Sequence, residues 1–413
     1  MAEVNPTQEG RHEIGGRATH SKKRDEQAGS VRLGTYLRRL RQGYGYTLRK
    51  VEEQAVAQGE AIDNSQLSRF EKGKAVPSFE KLRALARVFN VPVQSFADVL
   101  DLEEYQHLKP NGDDYSQLIR EGFDLMARGE AGPAFVTYER ALELAQELDD
   151  PHRNAELVAQ ARYRMASALK ALGKLYMTEQ ELRAILKDRA KLSRGARLRA
   201  LLQLSYLYRE LGDLYLASVL ARESLDLARK EEDYGRQAGV LNTLGNIQHD
   251  EGKTQEARAS YAEALTLLDR VLGHEEMKAT VRTNLGGCLV ELGQFDEGVE
   301  LLRNAYARAR RETFRRTAAL ALTRLAEAWM SRKDFVQARR ELTESDALAS
   351  RVESSFHDIM FLNAYHRWRI EREETNPTGE KIAFGRLRHL RSLLQRKFPE
   401  VDAFDRHVQR TRR

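Results

Sequence analysis

A unit of about 40 residues recurs through the middle of the chain, marked by small residues at Gly122, Ala166, Ser205, Gly245, Gly286 and Ala326. The clearest copy reads Leu244-Gly245, Gly252, Ala257, Tyr261 and Ala264, and the next reads Leu285-Gly286, Gly293, Gly298, Leu302 and Ala305. One such unit cannot bury its apolar face alone, so the chain must stack copies into a continuous core. The small residues allow two antiparallel helices to approach, and the large ones fill the gap between successive pairs. Alanine, leucine, arginine and glutamate dominate after Gln117 and prolines are few, so the array is expected to be helical throughout. A divergent seventh pair is expected around Phe361, Tyr365 and Trp368, interrupted at Asn376-Pro377-Thr378-Gly379 and followed by a capping helix from Lys381.

The unit resembles the tetratricopeptide repeat, with a longer spacing than usual. The resemblance implies a right-handed α-solenoid of roughly six to seven helix pairs, placed here at 115–380, with a C-terminal capping helix and basic tail at 381–413. It also implies that the first helices line a concave surface suited to an extended peptide or a partner helix. The positions expected to face that groove are Tyr163, Lys170, Tyr206, Arg209, Asn242, Asn246, His249, Thr283 and Glu327. Asparagine amides donate and accept together, which suits a peptide backbone. Asn242 and Asn246 lie four apart on one helical face, making them the first candidates for ligand contact.

A different pattern precedes the repeats. Residues 1–30 are polar and without apolar periodicity, and read as a disordered arm. Leu33, Tyr36, Leu37 and Leu40 then form an amphipathic stripe that ends near Gly43 and Gly45. Thr47 is placed to cap a second helix carrying Leu48 and Val51. A longer turn, Ala55 to Asp63, leads to a short third helix with Leu67 and Phe70 inward and Gly73 as its stop. Pro77-Ser78 opens a fourth helix, and Pro92 a fifth that runs to about Val99. The domain is placed at 31–104 and a polar linker at 105–114.

This segment resembles the lambda-repressor-like, or XRE, helix-turn-helix proteins. The resemblance rests on Leu37-Arg38-Arg39-Leu40-Arg41, Thr47-Leu48, Gln66-Leu67-Ser68-Arg69-Phe70-Glu71-Lys72-Gly73-Lys74 and Pro77-Ser78. It implies a five-helix module whose third helix enters the major groove of double-stranded DNA as part of a homodimer. Carried onto this sequence, base readout falls to Asn64, Ser65, Ser68 and Arg69, and phosphate contact to Arg49, Lys50, Lys72 and Lys74. Arg41 and Glu71 stand where the family often pairs the first and third helices.

Charge agrees with that division. Residues 31–100 carry a net +5 and 386–413 a net +6, whereas 101–385 carry −5. No apolar run reaches the roughly 18 residues that would cross a membrane, and no signal-peptide pattern opens the chain. The single cysteine, Cys288, excludes an internal disulfide and a multi-cysteine zinc site. The ten histidines are scattered without metal-ligand spacing, so no metal, cofactor or catalytic centre is expected. The resulting expectation is a cytoplasmic, sequence-specific transcription regulator whose repeat array binds a peptide or protein effector that controls DNA binding. The alternative is a repeat adaptor that assembles proteins and uses DNA only for localisation.

Overall fold

The computed structural model describes residues 29–148, 151–187, 189–350, 355–394 and 398–411, and contains no strand among them. Residues 1–28 of the expected disordered arm lie outside the described residues, as do Arg412 and Arg413. The chain divides into two compact units between Glu104 and Tyr105.

Among its described residues the first unit holds five helices: α1 (Val31–Gly43), α2 (Leu48–Ala57), α3 (Asn64–Glu71), α4 (Phe79–Val88) and α5 (Gln94–Glu103). Ser30, Thr47, Asp63 and Ser78 cap the first four, each side chain accepting a backbone N–H three residues on. Leu33, Leu37, Val51, Leu67, Phe70, Leu85, Phe89, Phe96 and Leu102 are buried together in its core. Two boundaries differ from the sequence expectation. Helix α2 continues through Ala57 because Ala55 is fully buried, so the turn is only Gln58 to Asp63, anchored by buried Ile62. Helix α5 continues past Val99 because Leu102 is also a core residue.

Helices α1 and α3 touch backbone to backbone. A methyl group at Gly34 would stand 2.5 Å from the Phe70 carbonyl oxygen. At Gly73, φ is +65° and the Cα of Val31 lies against it, so glycine is required there twice over.

The second unit is a run of antiparallel pairs: α6 (Tyr115–Ala127) with α7 (Ala131–Gln146), α8 (Pro151–Ala171) with α9 (Leu175–Lys187), and α10 (Arg194–Leu211) with α11 (Leu214–Lys230). It continues with α12 (Tyr234–Asp250) and α13 (Thr254–Leu268), α14 (Glu275–Glu291) and α15 (Phe295–Arg311), and α16 (Arg315–Ser331) and α17 (Phe335–Ala349). The seventh pair is α18 (His357–Glu373) and α19 (Pro377–Leu393), followed by α20 (Pro399–Thr411). Successive first helices, α8 through α18, lie against one another.

Each small residue of the repeat has a counterpart sixteen positions later on its partner helix, and in most repeats that counterpart is large. Glycine faces tyrosine at 122/138 and 245/261, where an added methyl group would stand 2.3 Å and 2.5 Å from the ring. Alanine faces leucine at 166/182 and 326/342, and all four residues are buried. Ser205 faces Ala221 and donates its hydroxyl to the Ala217 carbonyl at 2.8 Å. At 122/138, 245/261, 166/182 and 326/342 the larger partner fills the space that the smaller residue leaves, whereas Ser205 and Ala221 are both small.

The two ends of this unit depart from expectation. Residues 105–114 are packed onto α7 rather than forming a free linker. The Tyr105 ring covers Gly132, Lys109 Nζ meets Glu139 at 3.2 Å and Glu143 at 2.5 Å, and Arg140 donates to the Gly112 carbonyl. At the far end, Asn376-Pro377-Thr378-Gly379 does not interrupt the seventh pair. Asn376 caps α19, with Pro377 in its first turn, so the helix expected from Lys381 is the interior of α19. The cap is α20: Val401 and Phe404 join the Phe361, Trp368 and Leu387 core, while Asp402, Arg406, Gln409 and Arg410 face outward.

Candidate functional site

The first unit presents one polar helix face. Leu67 and Phe70 turn α3 inward, and Glu71 is held by Arg41 through two contacts, Nε–Oε1 at 2.6 Å and Nη2–Oε2 at 2.9 Å. This bidentate pair locks α3 against α1, with the Arg38 guanidinium adding a bond to the Glu71 carbonyl at 3.2 Å. The opposite face carries Asn64, Ser65, Ser68, Arg69 and, at the C-cap, Lys72. Asn64, Ser65 and Arg69 are exposed and Ser68 is half-buried. Ser65 donates its hydroxyl to the capping Asp63 carboxylate at 2.6 Å, which commits it to the helix start. Asn64, Ser68 and Arg69 have no such commitment among the described residues. Lys72 and Lys74 flank the α3 end, both exposed. Arg49 and Lys50 stand exposed at the α2 start and share Glu53, at 3.6 Å and 3.4 Å.

In the second unit, the residues expected to face the groove fall into two registered ladders that bridge successive first helices. Counted from the small residue of each repeat, the position one after (or three before) meets the position two before on the next first helix. Phe123 thus lies 5.7 Å from the Arg164 guanidinium. Tyr163 accepts from Gln203 at 3.3 Å, and the Tyr206 and Thr243 hydroxyls meet at 2.9 Å. Asn284 donates to Asn242 at 2.9 Å and to Asn246 at 3.2 Å. Gly287 leaves room for the stem of Arg324, and Glu327 meets His366 Nε2 at 2.8 Å.

The second ladder joins the position four after to the position five after. It comprises Lys170–Glu210 at 2.8 Å, Arg209–Asp250 at 2.6 Å and His249–Glu291 at 2.8 Å. Burial works to raise the Glu291 carboxyl, but the His249 hydrogen bond and the nearby charges of His249 and Arg324 outweigh it and hold it below the usual range.

Eight of the nine expected groove residues are therefore members of these ladders. Two do not serve as expected. Thr283 is fully buried, its short hydroxyl bonded back to the Ala279 carbonyl at 2.9 Å, so it never reaches the surface. Glu327 is occupied by Arg324 at 2.7 Å and by His366, which close over it from α16 and α18. Asn284 was the principal residue missed, and its signal was the fixed offset rather than its type.

Asparagine carries the most open chemistry here. Asn246 Oδ1 accepts from both Asn284 and Tyr261, whose hydroxyl reaches it at 2.9 Å. With both acceptors engaged, the Asn242 and Asn246 amide NH2 groups stay available as donors and Asn284 Oδ1 as an acceptor. Beside them, between α12, α14 and α16, opens a cleft of about 480 Å³ lined by Asn242, Met277, Thr280, Arg316, Thr317 and Leu320.

Burial, and secondarily the Glu291 charge, push the Cys288 thiol up to about 12, so it stays protonated and unreactive. Among the described residues no three histidine, cysteine, aspartate or glutamate side chains converge as a metal site, and no helix is long and apolar enough to cross a membrane.

Comparison with known proteins divides along the same line. Residues 32–98 match a helix-turn-helix domain model and residues 236–311 a tetratricopeptide-repeat model. Comparison with curated proteins returned no match. Among solved structures, the apo form of RapI is 11% identical, covers 67% of this chain and 97% of its own, with a TM-score of 0.56. A signal transduction ATPase with a tetratricopeptide-repeat sensor from Pyrococcus horikoshii is 16% identical and covers 83% of this chain but 51% of its own, with a TM-score of 0.50. PlcR of Bacillus thuringiensis, solved with the peptide PapR7 and DNA, is 16% identical and covers 81% and 98%, with a TM-score of 0.31. For the first two of these the likeness is one of fold alone. The chain thus carries an XRE-like helix-turn-helix domain followed by tetratricopeptide repeats.

Proposed function

We propose that this chain is a cytoplasmic, homodimeric transcription regulator that reads DNA through α3 and is controlled by a peptide bound along the first helices of its repeats. The observation that carries the reading is the α3 face: Asn64, Ser68 and Arg69 have no internal partners among the described residues, on a helix whose opposite side is fixed by Leu67, Phe70 and the Arg41–Glu71 pair. A major groove admits such a helix, and arginine and asparagine each read a base edge through paired hydrogen bonds. Lys72, Lys74, Arg49 and Lys50 supply phosphate contacts around it, which position the module without reading sequence. Peptide control is supported by the open amide donors of Asn242 and Asn246 and the acceptor of Asn284, an arrangement complementary to an extended backbone. Tyr163, Lys170, Tyr206, Arg209 and His249 continue the same surface.

Genome-wide occupancy of the native protein and of Arg69→Ala tests the reading. Discrete sites sharing a motif are expected, with loss in the variant. In purified form, Arg69→Ala should weaken the preferred site by about tenfold to a hundredfold relative to non-specific DNA. Lys74→Ala should weaken all sequences alike and reduce the salt slope by about one. An absence of specific sites in both native and variant protein would discard DNA readout and leave protein assembly as the function.

A further inference from the structure

The cleft beside Asn242 has features that packing alone does not explain. Helix α12 carries two glycines on its approach to that residue, Gly235 and Gly239. A side chain at Gly235 would strike the His274 ring at 2.8 Å, so packing requires glycine there. At Gly239 the nearest atom is the Met277 methyl at 3.5 Å, which is ordinary contact. A glycine inside a 17-residue helix costs stability relative to alanine, and here no close approach returns it. What the missing side chain leaves is space next to Met277, which lines the cleft, while Gly239 itself is not a lining residue. Leu320 lines the same cleft, whose volume of about 480 Å³ suits part of a ligand rather than a few waters.

The rim is unevenly charged. Arg316 is neutralised by Asp358 through two contacts, at 3.1 Å and 2.5 Å. Glu276, exposed one residue before Met277, has no ion-pair partner among the described residues. The uncompensated charge at the rim is therefore negative.

We propose that this cleft seats one bulky apolar side chain of an extended peptide, with an adjacent cationic group held by Glu276. The inference rests on the peptide reading above and deepens it: Asn242, Asn246 and Asn284 hold the backbone, and the cleft selects the residue. Burial of one phenylalanine-sized side chain is worth about tenfold or more in affinity. A half-exposed ion pair at the rim adds a few-fold.

The test uses the full-length protein and four acetylated, amidated heptapeptides of alanine and serine, with Phe-Lys, Phe-Glu, Ala-Lys or Ala-Ala at the centre, titrated calorimetrically. The Phe-Lys peptide should bind at least tenfold more tightly than Ala-Lys and a few-fold more tightly than Phe-Glu. Glu276→Gln should erase the lysine preference and leave the phenylalanine preference. Gly239→Leu should do the reverse. Gly239→Ala should melt higher than the parent yet bind Phe-Lys less tightly, so loss of binding there is not loss of folding. Peptides that bind without a phenylalanine preference, or preferences that survive these substitutions, overturn the cleft assignment while the peptide reading stands. If no member binds, both fall together.

Discussion

Glu327→Ala is expected to destabilise the array by about 3–5 kcal/mol, the cost of removing one partner from a buried charge cluster. The carboxylate stands between Arg324 Nη1, 2.7 Å away, and His366 Nε2, 2.8 Å away, and His366 is almost wholly buried. Alanine leaves the guanidinium with only the more distant charges of Glu291 and Glu400 and takes the carboxylate away from the imidazole. Replacing Arg324 and Glu327 together by apolar residues of similar volume should cost much less, because no orphaned charge remains. Burial alone would raise the Glu327 carboxyl, but the Arg324 charge and the His366 hydrogen bond outweigh it and hold it far below the usual range. Because the folded value is depressed, the contribution is fully present above the ordinary carboxylate range and is lost only as pH falls through the depressed value. Denaturant unfolding combined with amide exchange in α16 and α18 checks this. A single variant within 1 kcal/mol of the parent would show that the cluster does not hold the junction.

The second large effect concerns volume. Gly245→Ala should destabilise by about 1–3 kcal/mol, since its methyl group would stand 2.5 Å from the buried Tyr261 ring. Tyr261→Leu alone should also destabilise, by leaving a void and removing the hydroxyl that supports Asn246. Combined, the two substitutions recreate the alanine–leucine pairing already present at 166/182 and 326/342. The double variant should therefore recover much of the packing loss, with a coupling of about 0.5–3 kcal/mol. Strictly additive losses would mean that the sixteen-residue pairing is not the unit of packing. Peptide binding should stay impaired in the double variant, because Asn246 still lacks the tyrosine hydroxyl.

These cases separate two kinds of information. The repeat frame was legible because a single position per unit, from Gly122 to Ala326, must stay small for two helices to touch. The helix-turn-helix was legible for a related reason: Leu67, Phe70, Glu71 and Gly73 each answer a local demand for burial, pairing or a left-handed turn. The ladders were only half visible. Asn242, Asn246 and His249 were found as surface polar residues, but their partners Asn284 and Glu291 were not. The junctions preserve an offset and not a chemistry: phenylalanine with arginine, tyrosine with glutamine, asparagine with asparagine, glutamate with histidine.

The ends of the array were least legible. The 105–114 segment looks like a linker because its residues are polar, yet Tyr105 docks over Gly132 and Lys109 over two glutamates. Likewise Asn376-Pro377 reads equally as a break or as a helix start, and only the burial of Ala383, Leu387 and Leu390 decides for a helix. By itself the sequence determined the two modules, the helix pairs and the residues that keep them close, because backbone sterics and burial act locally and repeat. The tertiary structure alone decided which polar residues were already committed to one another and which remained open, because that depends on contacts about 40 residues apart in the chain, between helices whose approach no local rule specifies.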